Sequence, residues 1–141
     1  MINLTKKTFI TALSAVALAL PGIAAAQESY PSKAITFIVP YAAGGSSDTR
    51  SRQLAQHMAE SLGVPVVVEN RPGASGNIGT SQIARAKPDG YTIGLGNFAP
   101  MAINKALYGD TLPFDPENDI QPIALIESGG MVLAVTSQSP Y

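Results

Sequence analysis

The sequence has 141 residues, 13% of them charged and 45% hydrophobic, with 13 glycines, 11 prolines and no cysteine. That composition excludes a disulfide scaffold, a thiolate metal site and a disordered chain, and it leaves room for one ordinary domain at most. A formal charge of −1, with the lysines and arginines scattered rather than grouped, excludes a partner held chiefly through its phosphates, so nucleic acid is not an expected ligand.

Residues 1–26 read as a targeting segment. Lys6 and Lys7 make a positive start, Thr8 to Leu20 is an apolar stretch, and Ala24, Ala25 and Ala26 place small residues ahead of Gln27. An apolar helix of that length spans about 20 Å, whereas ~20 residues are needed to cross hydrocarbon. The pattern therefore predicts a secretory signal peptide cut after Ala26 and a chain exported to the periplasm. Losing Lys6 and Lys7 takes the formal charge from −1 to −3. Exported without cysteine, the rest of the chain must depend on a conventional hydrophobic core.

From Ala34 onward, short apolar runs alternate with helix-like stretches, each switch marked by Gly, Pro, Asn or Asp. Ile35 to Val39 is the first strand, closed by Pro40. After the loop from Tyr41 to Asp48, Leu54, Met58 and Leu62 recur every four residues beside Ala55 and Ala59, which predicts a helix ending at Gly63. Val64 to Glu69 is the second strand, and its unbroken Val66-Val67-Val68 run suits cover on both faces. Arg71 to Gly79 forms a second glycine-rich loop before a short helix through Ile83 and Ala84, which the Pro88-Asp89-Gly90 turn closes off. Tyr91 to Leu95 is the third strand, followed by a brief helical run to Leu107 and two further apolar runs, Ile123 to Ile126 and Met131 to Thr136. The order β-α-β-α-β-α-β-β predicts an α/β fold, a mainly parallel sheet with helices on both faces.

Ligands of such sheets bind outside the carboxyl ends of the strands, where three Gly- or Asn-bearing loops fall in this chain. Gly44 and Gly45 let backbone approach closely, Ser46 and Ser47 offer hydroxyls, and the free amides of the first helical turn suit an anion such as a carboxylate. Asp48 is either the N-cap or a first-turn residue of that helix, and capping alone would account for the Ser-Ser-Asp run. The second loop repeats the arrangement with Ala74, Ser75 and Asn77, either Ser75 or Asn77 serving as cap. Tyr41 and Phe98 lie in strand-end loops, where they would wall a pocket or simply pack, and Asn97 stands beside Phe98.

Catalytic readings find little support. Gly94-Leu95-Gly96-Asn97-Phe98-Ala99 fits a dinucleotide fingerprint, but Pro100 follows at once and the motif does not open the fold. Gly73-Ala74-Ser75-Gly76 misses the nucleophile-elbow spacing. The single histidine, His57, shares a polar helix face with Arg50, Gln53, Glu60 and Ser61, which predicts a solvated side chain rather than a base or metal ligand. No cofactor, metal or catalytic residue is expected.

Three ordered motifs carry a resemblance: Tyr30-Pro31-Ser32-Lys33 leading through Ile35 to Asp48, Val66 through Gly79, and Lys87-Pro88-Asp89-Gly90-Tyr91-Thr92. From about Tyr30 to its end the chain resembles the Bug/TctC family, the extracytoplasmic solute receptors of bacterial tripartite tricarboxylate transporters. The resemblance implies a type II periplasmic-binding-protein lobe that closes with a second lobe on a small organic carboxylate, held by backbone amides and small polar groups. It further implies a monomer that serves membrane transporter subunits without turnover. Gly44 to Asp48 and Ala74 to Asn77 match its ligand-binding loops; Asn97-Phe98 departs from the small polar residue usual after the third strand. Family members are about twice this long, so the chain reads as a fragment: residues 1–26 the signal, 27–130 most of the first lobe, and 131–141 the start of a crossing into a missing second lobe. With one wall of the site open, residues 27–141 alone are expected to bind di- and tricarboxylates negligibly, and micromolar affinity by calorimetry would contradict this. The alternatives are a ligand-sensing partner of a membrane receptor kinase, an exported α/β enzyme, and, for the ligand, a neutral or cationic amide.

Overall fold

Ile35, Phe37 and Val39 alternate with Thr36 and Ile38 along β1 (Ile35–Val39), and all but Thr36 are buried. In the computed structural model, which describes residues 29–130 and 134–140, this strand is the middle of a three-stranded parallel sheet in the order β2-β1-β3. Strand β2 (Val66–Asn70) pairs along one edge from Ile35↔Val66, and β3 (Thr92–Gly94) along the other from Thr36↔Thr92. The chain divides into two units, Met1–Tyr30 and Pro31–Tyr141, and every strand and helix among the described residues lies in the second. The predicted signal segment lies outside the described residues.

The pleat assigns the helices to faces. Phe37 and Val39 form the core with Leu95 and Ala55 of α1 (Ser46–Leu62), joined by Leu54, Val66, Val68 and Ile93. On the opposite parity, Gly94 lies against Ile83 of α2 (Asn77–Ala84), and Gly94 is the register partner of Ile38. Helices therefore cover both faces, the arrangement that two right-handed crossovers produce when the strand order reverses at β1.

Helix α1 ends as its sequence requires. Gly63 takes a left-handed φ of 71°, and its amide donates to the Ala59 carbonyl at 3.0 Å. The exposed face carries Arg50, Gln53, His57 and Glu60, and the His57 Nδ1 stands 3.7 Å from the Glu60 carboxylate.

Other expectations need correction. Strand β2 starts at Val66 rather than Val64, and Val67 is 48% exposed, so only one of its faces is covered. Strand β3 is trimmed to Thr92–Gly94. The helical run after it begins with a wide turn, Ala99–Ile103, and continues as α3 (Asn104–Tyr108). Ile123 to Ile126 is not a strand: Ile123 and Leu125 are 83% and 84% exposed. Residues 134–136 are not strand either, and 131–133 lie outside the described residues. An apolar run becomes a strand only where its amides and carbonyls meet a ladder partner, and among the described residues the sheet ends at β3.

Gly79 sets how closely α2 approaches the sheet. A Cβ there would lie 2.8 Å from both the Arg71 carbonyl oxygen and Pro40 Cα, positions fixed by backbone. Gly79→Ala is therefore expected to destabilise the fold by about 1–3 kcal/mol, overriding the ~1 kcal/mol by which a helix prefers alanine. Urea unfolding checks this; an unchanged or raised midpoint would contradict the close approach.

Candidate functional site

The strand order reverses at β1, and in open parallel sheets ligands bind outside the carboxyl ends of the strands at such a reversal, where the loops leaving β1, β2 and β3 lie. The first loop runs from Tyr41 to Gly45. Gly44 has a left-handed φ of 86°, and Gly45 is the N-cap of α1 without a side-chain cap bond. Asp48 is thus a first-turn residue, and the Ser-Ser-Asp run does not cap the helix through a side chain. The first helical bond is donated by the Thr49 amide to the Gly45 carbonyl at 3.0 Å. Ahead of it, the amides of Gly45, Ser46, Ser47 and Asp48 find no acceptor among the described residues, as at any uncapped helix start. The hydroxyls of Ser46 and Ser47 are likewise without hydrogen-bond partners there, Ser46 exposed and Ser47 half-buried.

A buried carboxylate braces this loop. Asp48 accepts from the Gly44 amide at 2.9 Å, from Arg52 Nε at 3.0 Å and from Asn70 Nδ2 at 3.0 Å. Asn70 Nδ2 also donates to the Tyr41 carbonyl at 3.0 Å, and Arg52 Nη2 donates to Asn70 Oδ1 at 3.0 Å. The two ends of the loop are therefore tied to the side chains of Asn70 and Asp48, which Arg52 links. The Arg52 guanidinium first, then the Gly44 amide and Asn70, hold the Asp48 carboxyl down at about 2 against an ordinary 3.8. A depressed folded-state pKa supplies stability that is complete above the unfolded value and is lost as pH falls from 3.8 towards 2. Urea midpoints measured across that window are expected to fall, and Asp48→Asn should remove part of the slope. Identical slopes in the two proteins would contradict the brace.

The second loop is built from left-handed backbone. Gly73, Ala74, Ser75 and Gly76 have φ of 128°, 46°, 54° and 91°. For Ala74 and Ser75 this conformation costs about 1–2 kcal/mol each, and it persists because the surroundings hold it. Gly76 is the N-cap of α2, so neither Ser75 nor Asn77 fills that role. Asn77 instead is buried, and its Oδ1 accepts from Asn104 Nδ2 at 2.6 Å; the same Nδ2 lies 3.4 Å from the Ser75 carbonyl oxygen.

Gly76 is where the loops converge. A Cβ on it would stand 3.1 Å from the Tyr41 hydroxyl oxygen and 3.4 Å from Pro100 Cγ, so segments following all three strands meet there. Partial burial raises the Tyr41 phenol above its ordinary value and keeps it a neutral donor. The Asn97 carbonyl accepts the Met101 amide at 3.0 Å, its side chain has no hydrogen-bond partner among the described residues, and Phe98 is 53% exposed. Sequence reasoning does not single out Asn70, Arg52, Asn104 or Pro100.

Of the guanidinium groups near the strand ends, Arg52 is paired with Asp48, and Arg71 with Glu69 at 2.7 Å. Two of the expected site residues, Ala74 and Asn77, also line an open groove of about 470 Å³ along α2 with Arg85 and Tyr108; the residues from Gly44 to Asp48 do not contribute to it.

The family model described as "Tripartite tricarboxylate transporter family receptor" matches residues 50–141. The chain belongs to that family. Among its curated relatives, Protein BugT of Bordetella pertussis is 39% identical over 129 residues, covering 89% of this chain and 39% of BugT. Among solved structures, the periplasmic binding protein BugD is 45% identical with a TM-score of 0.62, covering 67% of this chain and 31% of BugD. MatC from Rhodopseudomonas palustris, solved with bound malate, is 36% identical with a TM-score of 0.65, covering 69% of this chain and 33% of MatC. The chain spans 32% to 39% of the length of the curated relatives it matches. The fold is accordingly part of a periplasmic-binding-protein lobe, with its parallel sheet and flanking helices.

Proposed function

We propose that this chain supplies strand-end loops of a periplasmic receptor that captures a small organic carboxylate and delivers it to the membrane subunits of a tripartite transporter, without chemical turnover. The observation that carries this reading is the division of donors at the crevice. The guanidinium groups of Arg52 and Arg71 are committed to Asp48 and Glu69, whereas the first-turn amides of α1 have no acceptor among the described residues. Amides at a helix start, in a site closed to water, are good partners for carboxylate oxygens and need no cation. Tyr41, Gly44 to Asp48, Ala74, Ser75, Asn77, Asn97 and Phe98 belong to this site, with Asp48 acting through the loop it braces. MatC's malate indicates the ligand class. The signal segment would be removed after Ala26 on export.

A chimera tests the proposal. Residues 27–141 are put in place of the matching part of MatC, and malate is titrated by calorimetry. The expected result is saturable, enthalpically detectable binding; a folded chimera that takes no malate would argue against the carboxylate reading.

A further inference from the structure

We infer that Arg52 is a positioning residue of the carboxylate site, keeping the loop that presents the α1 amides both fixed and free of net charge. The inference rests on the reading above. Asp48 puts a carboxylate in the same helical turn as the amides of Gly45, Ser46 and Ser47, which have no acceptor among the described residues, and an uncompensated negative charge there would repel an arriving anion. Its role in the loop is nonetheless needed, because its oxygens hold the Gly44 amide and Asn70, and Asn70 in turn holds the Tyr41 carbonyl.

Arg52 resolves the conflict from one turn along the same helix. Its Nε stands 3.0 Å from Asp48 Oδ1, and its Nη2 donates to Asn70 Oδ1 at 3.0 Å. Two of its nitrogens are thus engaged by the two side chains that fasten the loop. The brace closes as a neutral ring of Asp48, Arg52 and Asn70, and the amides meet the ligand without a competing charge. Removing the arginine charge while leaving the aspartate exposes the ligand to an unbalanced carboxylate at a helical-turn distance of about 6 Å, which weakens an anion about threefold to tenfold.

The test follows amide shifts of the ¹⁵N-labelled MatC chimera, in which residues 27–141 replace the matching part of MatC, as malate is added. In the parent chimera, saturable shifts are expected at Gly45 to Asp48; their absence would defeat the carboxylate reading itself. Given those shifts, Arg52→Gln is expected to bind malate about threefold to tenfold more weakly. Arg52→Lys, which keeps a cation beside Asp48 and leaves the loop's own carboxylate in place, should bind within about twofold of the parent. No loss in Arg52→Gln, or an Arg52→Lys as weak as Arg52→Gln, overturns the inference. Should Arg52→Gln lose the dispersed spectrum of a folded chain, Arg52→Lys alone decides, and a loss beyond about threefold there overturns the inference.

Discussion

Phe37→Ala is expected to lower the unfolding free energy by about 3–5 kcal/mol, a large share of the 5–15 kcal/mol that holds an ordinary domain together. Phe37 is 2% exposed and is the largest fully buried side chain, on the central strand between Val68 and Ile93, its register partners, and under Ala55 of α1. The strand cannot move towards α1 without breaking both parallel ladders, so the vacated space would collapse little, and the cost should sit towards the upper end of that range. Equilibrium urea unfolding followed by circular dichroism measures it. A loss below about 1 kcal/mol would mean that the sheet and α1 do not share one core.

The second large effect is expected at Asn104. Its Nδ2 donates to Asn77 Oδ1 across 27 residues of sequence, with both side chains buried. Asn104→Ala leaves the Asn77 oxygen buried without that donor and releases α3 from the left-handed turn at Ala74 and Ser75, which should cost about 1–3 kcal/mol. Asn77→Ala removes the same bond from the other side. The double variant should therefore be less destabilised than the sum of the singles, with a coupling of about 0.5–3 kcal/mol. Strict additivity would show that the 2.6 Å contact does not support the turn.

These two residues mark the boundary of what the sequence makes legible. Phe37 belongs to an alternation that a sheet imposes locally, and the end of α1 at Gly63 is signalled by a residue suited to left-handed backbone. The loops at the strand ends are likewise legible, because glycines before helix starts report the backbone they permit. Asn104 and Asn70 carry no such signature, since their roles come from partners far along the chain that only the fold brings together. The left-handed Ala74 and Ser75 are illegible for the opposite reason: the local preference of both residues argues against the conformation they hold. Ile123 to Ile126 shows a third kind of failure, in which apolar patterning is present but the hydrogen-bonding neighbour that would make it a strand is not among the described elements.

In the proposed receptor, the sheet, its two crossing helices and three converging loops form one arrangement that aims backbone amides. In that reading, strain in the second loop, the neutral brace in the first and the contact of Gly76 with Tyr41 and Pro100 would all fix donors before a ligand arrives. A preorganised site of that kind loses little freedom on binding.

The most direct measurement is a crystal structure of the MatC chimera with malate bound. A malate carboxylate oxygen is expected about 2.7–3.1 Å from amides of the first turn of α1, between Gly45 and Asp48, with no lysine or arginine of residues 29–130 touching it. A carboxylate held by the guanidinium of Arg52, Arg71 or Arg85, or seated away from the ends of β1 and β3, would contradict amide capture at this crevice.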